Sequence, residues 1–436
     1  MALTGRTALV AALGTLIVGL VLPDWTGLLA VELPLLLAIV VDLLLAAPVN
    51  RLLFTRSGDT SVRLGEQAIV SLIVTNPTRR TLHADLRDAW PPSSWPAGTS
   101  HEISRHKLRI PAGERRRITT TLRPTRRGDR NADRLTVRSL GPLGLAARQG
   151  HHEIPWTVRV LPAFPSRKHL PAKLARLREL DGRTGILTRG EGTEFDSLRD
   201  YVPGDDTRSI DWRATARQSA VAVRTWRPER DRRILLVLDT GRTSAGRLGD
   251  IPRLDVSMDA ALLLAALAAR AGDRVDLLAH DRATRAGVTG RAGRPVLSAL
   301  VEAMAPLEST LVESDLRAMA SKILRTAPRR SLLVLLTGLD RAPVEEGLLP
   351  VLPLLTQRHT VLVAAVSDPR IQEMANGRGT LDAVYDAAAA SQAQAERRDT
   401  AERLRRHGAT VVDEPPSRLA AALADAYLAL KAAGRL

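Results

Sequence analysis

Three carboxylates, Asp205, Asp206 and Asp211, stand close together in the run GEGTEFDSLRDYVPGDDTRSIDWRATAR, residues 190–217. Paired carboxylates suit acid–base chemistry, because a shared pocket raises one pKa and leaves its neighbour ionised. With a hard cation between them they would form a metal-assisted hydrolase. Either use needs partners, and no His, Ser or Lys stands near at a recognisable catalytic spacing. The rest of the run points elsewhere. Between Arg199 and Arg217 it carries eight charged side chains, and the aromatics Phe195, Tyr201 and Trp212 punctuate it. That is too charged for a core and too aromatic for a solvated linker. It follows neither a helical period nor a strand alternation. Gly204-Asp205-Asp206 suits an Asx turn or a helix entry. Asp211 has Arg208 and Arg213 in reach, and Arg199 has Asp200 and Glu194. The residues read as a salt-bridged clamp between domains or as a docking surface, with catalysis behind both.

The run resembles the signature of the bacterial DUF58 family (domain of unknown function 58). The matching residues are Gly192, Glu194, Phe195, Leu198, Arg199, Tyr201, Gly204, Asp205, Asp206, Arg208, Ile210, Asp211, Trp212, Ala214, Ala216 and Arg217. The layout of nearly the whole chain fits that family. The resemblance implies a MoxR-type AAA+ ATPase as partner, and a shared task in assembling or maturing other proteins.

The elements that must position this run are legible to different degrees. At 436 residues the chain has room for two or three domains, and a hydrophobic content of 44% supports real cores. The net charge of +16 permits attraction to anionic lipid or nucleic acid, but the charge is dispersed along the chain, and nucleic-acid binding is not expected. Without cysteine there is no disulfide framework, thiolate metal site or Cys nucleophile. No phosphate-binding P-loop occurs, so the chain is not itself an ATPase of that class.

Residues 1–56 hold two apolar runs, Thr7 to Leu22 and Leu28 to Ala47, joined by a short PDWTG turn. They predict a transmembrane helical hairpin in the lipid bilayer, with a signal peptide as the competing reading of the first run. Arg6 before the pair, and Arg51 and Arg56 after it, put both termini in the cytoplasm of an inner (plasma) membrane protein. Glu32 falls near the outer interface. Asp42 lies deeper, where it would face the helix partner. Residues 57–165 alternate polar and apolar side chains between Gly, Pro and Asn breaks, which predicts an immunoglobulin-like β-sandwich. Residues 166–230 hold a partly helical linker and the signature. Residues 231–436 alternate buried strands with helices, which predicts a doubly wound α/β domain.

This last domain resembles a von Willebrand factor type A domain. That resemblance implies a Mg²⁺ site at the carboxyl edge of the sheet, built from D-x-S-x-S, a Thr and a later Asp. Here the first motif reads Asp239-Thr240-Gly241-Arg242-Thr243, so the middle hydroxyl is missing. Thr310 or Ser314 would supply the loop hydroxyl. Gly338 occupies the late Asp position, Asp340 comes two residues after it, and Arg242 brings a cation into the loop. The expected ligands Asp239, Thr243, Thr310 and Ser314 therefore make a degenerate site, and no cofactor is expected beyond a weakly held Mg²⁺. The leading functional expectation is a membrane-anchored cytoplasmic interaction or scaffold protein. The metal-assisted hydrolase and, with inverted topology, an extracellular adhesion module are the alternatives.

Overall fold

A computed structural model describes residues 1–21, 23–96, 99, 104–187, 194–202, 207–218, 220–227, 232–290 and 294–436. The chain divides into two compact units, Met1–Leu161 and Pro162–Leu436.

The first unit contains, in chain order, β1 (Ala2–Leu3), α1 (Gly5–Val21), α2 (Trp25–Leu45), β2 (Leu53–Gly58), β3 (Ser61–Arg63), β4 (Ala68–Thr75) and β5 (Leu82–Asp88). It continues with β6 (Arg105–Ile110), β7 (Arg115–Leu122), β8 (Gly128–Asn131), β9 (Arg134–Leu140), β10 (Ala146–Glu153) and β11 (Thr157–Leu161). Among the described residues these form sheets ordered β1-β10-β9-β5-β6, β2-β4-β7 and β3-β11-β8. Strict alternation decides which side is buried: β5 reads buried, exposed, buried along its whole length. The inward residues Leu72 and Val74, Leu82 and Leu86, and Leu135 and Val137 meet in one apolar cluster between two of the sheets. Arg56 does not remain a flanking cation. Its guanidinium is buried in this unit, 2.6 Å from Asp88 and over the Trp90 ring.

The segment Trp25–Arg51 is long and apolar enough to cross a membrane, by length and composition. α1 and α2 touch where Gly14 faces Val31; a Cβ on Gly14 would stand 2.5 Å from the Val31 methyl. Asp24 caps α2 by accepting from Gly27 N–H at 2.8 Å. Asp42 departs from expectation. It is fully buried and faces the β9–β10 turn, accepting from the backbone N–H groups of Leu143, Leu145 and Ala146 at 2.7–2.8 Å. The sequence offered only α1 as its neighbour. The turn's free N–H groups attract the carboxylate because a buried charge must be hydrogen-bonded. Thr4 and Thr7 donate their hydroxyls to Gly144 and Leu145 carbonyls, so the start of α1 and the end of α2 hold the same turn.

The second unit opens with the helix Leu170–Leu187, then β12 (Glu194–Asp200), β13 (Ala222–Arg227), β14 (Arg233–Asp239), the two-residue strands β15 (Arg247–Leu248) and β16 (Ile251–Pro252), β17 (Arg274–His280) and β18 (Thr284–Val288). β19 (Leu332–Leu336), β20 (Thr360–Val366) and β21 (Thr410–Glu414) follow. Among the described residues a six-stranded sheet runs β18-β17-β14-β19-β20-β21. All its pairs are parallel except β17 with β18, an antiparallel edge that the sequence reading missed. β14, β19 and β20 are buried on both sides, as near-continuous apolar runs demand. The Ala/Leu-rich helix Arg253–Arg270 and the helix Leu419–Ala432 pack together, both touching the sheet. Leu316, Met319 and Ile323 of the helix Leu316–Thr326 join the apolar cluster that includes Leu235, Val237, Leu333 and Leu335.

Candidate functional site at the switch point of the sheet

β14 is the first strand of the large sheet, and the chain builds outward from it in both directions, to β17 on one side and β19 on the other. The order therefore reverses at β14, and its carboxyl end is where open α/β sheets leave a crevice. Asp239 is the last residue of β14 and only 3% exposed. Four donors converge on its carboxylate. Gly241 N–H and the Ser314 hydroxyl reach Oδ1 at 2.9 and 2.5 Å, and the hydroxyls of Thr243 and Thr337 reach Oδ2 at 2.7 Å each. A cavity of about 220 Å³ opens beside them, with Gly338, Glu313, Glu346 and Arg242 also in its wall.

Of the four expected ligands, Asp239, Thr243 and Ser314 come together. Thr310 does not: its hydroxyl goes to Asp281 Oδ2 at 2.9 Å. Thr310 N–H pairs with the Thr240 carbonyl and Arg242 N–H with the Val312 carbonyl, and this pairing sets which loop hydroxyl faces Asp239. Thr337 was not anticipated. It directly follows β19, one position before Gly338, and the only signal for it is a hydroxyl at the end of a buried strand.

The donor set does not suit a tightly held Mg²⁺. An octahedral cation needs several oxygens with lone pairs free, and both oxygens of the one buried carboxylate already accept two donors each. The missing middle hydroxyl has no room either: a Cβ at Gly241 would stand 2.2 Å from Ser314 Oγ. Two guanidiniums line the same edge. Arg242 lies 3.3 Å from Glu313, and Arg253 lies 3.7 Å from Asp340 while donating to the Thr243 carbonyl at 2.8 Å. The two-residue delay of Asp340 thus leaves it beside an arginine.

A second carboxylate, Asp281, follows β17 with its side chain out of solvent. Burial favours its neutral form. The Arg285 guanidinium at 2.7 Å, Ala283 N–H and the Thr310 hydroxyl outweigh that, and its pKa falls to about 2.

The signature is a small structure in its own right. β12 pairs antiparallel with β13, and a bulge between Phe195 and Ser197 shifts the register. That bulge explains why no strand alternation could be read: the extra residue flips every side chain beyond it. Glu194 and Phe195 open β12, Arg199 lies near its end, and Tyr201 follows it, half-buried. Arg208 falls in the short turn Thr207–Ser209. Gly192, Gly204, Asp205 and Asp206 lie outside the described residues.

Asp211 stands at the start of the helix Trp212–Gln218 and accepts from the N–H groups of Arg213 and Ala214, both at 3.0 Å. The Arg208 side chain, one expected partner, lies outside what is described; among the described side chains Asp211 pairs not with Arg213 but with Arg224 on β13, 2.8 Å away. Hairpin closure brings that arginine close, across thirteen positions. The Ala214 N–H and the Arg224 guanidinium hold the Asp211 carboxyl below its ordinary range. Arg199 donates to the Asp200 carbonyl at 3.2 Å. Trp212 is 70% exposed, and Leu198, Val202 and Val221 are also exposed. Arg217 is exposed at the far end of the short helix.

Among known proteins, the uncharacterized protein Mb1516 of Mycobacterium bovis is 28% identical over 190 residues, 43% of this chain and 59% of that protein. The uncharacterized protein YeaD of Bacillus subtilis is 26% identical over 115 residues, 26% of this chain and 28% of that protein. The chain thus spans less than two thirds of the curated relatives it matches. Among solved structures, the CARDB domain of the PF1109 protein from Pyrococcus furiosus covers 25% of this chain and 91% of its own length. At 13% identity and a TM-score of 0.18, that superposition is too loose to argue from. The family described as "Protein of unknown function DUF58" matches residues 197–413, from inside β12 to inside β21, and so covers the signature from Ser197 onward and the Asp239 cluster; the chain belongs to that family.

Proposed function

We propose that this protein is a membrane-anchored cytoplasmic adaptor. Its two N-terminal helices cross the bilayer as a hairpin, and its von Willebrand factor A-like unit docks a partner protein through the signature. The partner suggested by the family resemblance is a MoxR-type AAA+ ATPase, acting with the adaptor in protein assembly or maturation. The observation that carries the reading is the distribution of exposed apolar residues. Leu13, Leu16, Ile17 and Leu20 on α1, and Leu29, Leu33, Leu36 and Leu37 on α2, face outward, while the polar Thr4, Thr7 and Asp42 at the ends are tied down. A surface of that size needs a lipid or protein cover. On the signature hairpin and helix, Trp212, Val202 and Val221 are all exposed, and Trp212 is the kind of aromatic anchor that partner-binding surfaces use. Asp211, which fixes the helix carrying Trp212, is spent on backbone and Arg224 contacts, and this favours positioning over catalysis.

The test pairs binding with stability. Full-length protein in detergent, carrying Trp212→Ala, should keep its melting temperature and lose capture of the MoxR-type ATPase encoded in the same genome. Undiminished capture would remove the signature from docking. A cytoplasm-only reporter fused to the C-terminus should give signal, and signal from a periplasm-only reporter instead would invert the topology.

A further inference from the structure

Along the sequence of the sandwich the arginines look scattered, but the pleat collects them. On β5, β6 and β9, the side chains pointing away from the core include Arg87, Arg105, Lys107, Arg134 and Arg138, all exposed. The ladder sets Arg87 opposite Arg105, and places Asp85 between Lys107 and Arg138. Like charges set opposite each other on a sheet repel and weaken it. Among the described residues no carboxylate reaches ion-pair distance of any of these five cations. They line an open groove of about 730 Å³. Carboxylates are present but fewer: Asp85 sits across from Lys107 and Arg138, Glu153 across from Arg134, and Asp133 also lines the groove, so the five cations leave a net positive face suited to an anionic ligand with several charges.

We propose that this face binds the phosphate headgroups of anionic lipids, and that it does so beside the protein's own membrane anchor. The proposal rests on the membrane-anchor reading given above. Position selects lipid over other polyanions. Arg148 on β10 donates to the Leu43 carbonyl at 2.8 Å, and the Arg80 guanidinium donates to the Leu44 carbonyl. Two arginines therefore hold the last carbonyls of α2, where the helix dipole is negative. Gln149, next to Arg148, accepts from Arg138 Nε at 2.8 Å. Arg138 is thus one strand across and one residue along from the point where α2 ends. Where α2 leaves the bilayer, the near end of this row of cations, Arg138, is thereby brought toward an anionic leaflet, whose field acts over about 8 Å at physiological salt.

Lys107 is the sole lysine before residue 168, and it reports on the groove directly. The full-length protein is reconstituted into nanodiscs of phosphatidylcholine alone, or of phosphatidylcholine mixed with phosphatidylglycerol. Acetylation of Lys107 by an amine-reactive ester is followed by mass spectrometry. The expected result is slowing by about fivefold in the anionic discs, the factor that one surface cation contributes. High salt should abolish the slowing, as should Arg87→Gln with Arg138→Gln, substitutions at exposed positions that leave the core untouched. Equal rates in the two lipids would overturn the proposal. So would slowing that appears only when soluble polyphosphate is added to neutral discs. The anchor is checked separately: protein that alkaline carbonate strips from neutral vesicles would overturn the hairpin reading, whatever Lys107 does.

Discussion

Asp42 and Asp239 are both carboxylates withdrawn from solvent, at 0% and 3% exposure, and each is held by several donors. The donors differ in kind. Asp42 accepts only from backbone N–H groups, whose directions are fixed by the β9–β10 turn. Asp239 accepts from one N–H group and three hydroxyls. A hydroxyl can rotate and offer a lone pair in place of its proton, whereas an N–H group cannot. The Asp42 site is therefore a lock with one state. The Asp239 site is adjustable, lies at the crevice of the sheet, and opens onto a cavity. The difference separates a carboxylate that assembles the fold from one that remains able to answer a ligand.

The largest test of that contrast is Asp42→Ala. It strands three backbone donors, each costing roughly 1–3 kcal/mol when buried and unmet, so the loss should be about 3 kcal/mol or more. Chemical unfolding in detergent, followed by tryptophan fluorescence, measures it, and an unchanged midpoint would dissolve the distinction. Asp239→Ala should cost less, about 1–2 kcal/mol, because its three hydroxyls can turn to other acceptors or to water in the cavity. A loss as large as that of Asp42→Ala would mean the cluster is as rigid as the turn.

Acid sharpens the comparison through Asp281, whose depressed pKa favours the folded state when the carboxylate is ionised. Its contribution is complete above about pH 4, near the ordinary value of 3.8, and is lost as the pH falls toward about 2. Thr310→Val removes one of the donors that depress this pKa, so the acid-dependent loss should be smaller and complete at a higher pH, with its onset still near 3.8; superimposable unfolding curves of wild type and variant would count against the role given to Thr310. The smallest expected effect is that of Mg²⁺. Calorimetric titration should show no binding tighter than roughly millimolar, since the saturated carboxylate has little left to offset dehydration. A micromolar isotherm that disappears in Asp239→Ala would show that the hydroxyls do turn outward.

What could be read from the sequence follows from where information resides. The strands β14, β19 and β20 were legible because burial on both sides needs an unbroken apolar run. The start of the helix Leu381–Arg406 is the least legible part of this domain. Its first part, DAVYDAAAA, carries alanines without an apolar stripe and leaves Leu381, Val384 and Tyr385 exposed, so nothing in the period marks it. The β12–β13 hairpin was hidden by its bulge. Around Asp239 the sequence supplied the carboxylate and the Thr243 hydroxyl but left Thr310 and Ser314 as alternatives, because they share one loop and only its backbone pairing decides which faces β14. The partners of Asp42 were beyond reach for a different reason. They are N–H groups, which every residue except proline carries, so no residue type announces them.

The Asp42 lock also imposes an order on synthesis. Its donors Leu143, Leu145 and Ala146 follow it by 101, 103 and 104 residues. At about 5–20 residues per second, that is roughly 5–20 s during which the carboxylate is made and its partners are not. Through that interval the carboxylate has none of the three donors that hold it in the fold, so the end of α2 stays unlocked while the sandwich is translated. The turn between β9 and β10 is then the latch that fixes the end of α2, and it closes only when β10 has emerged.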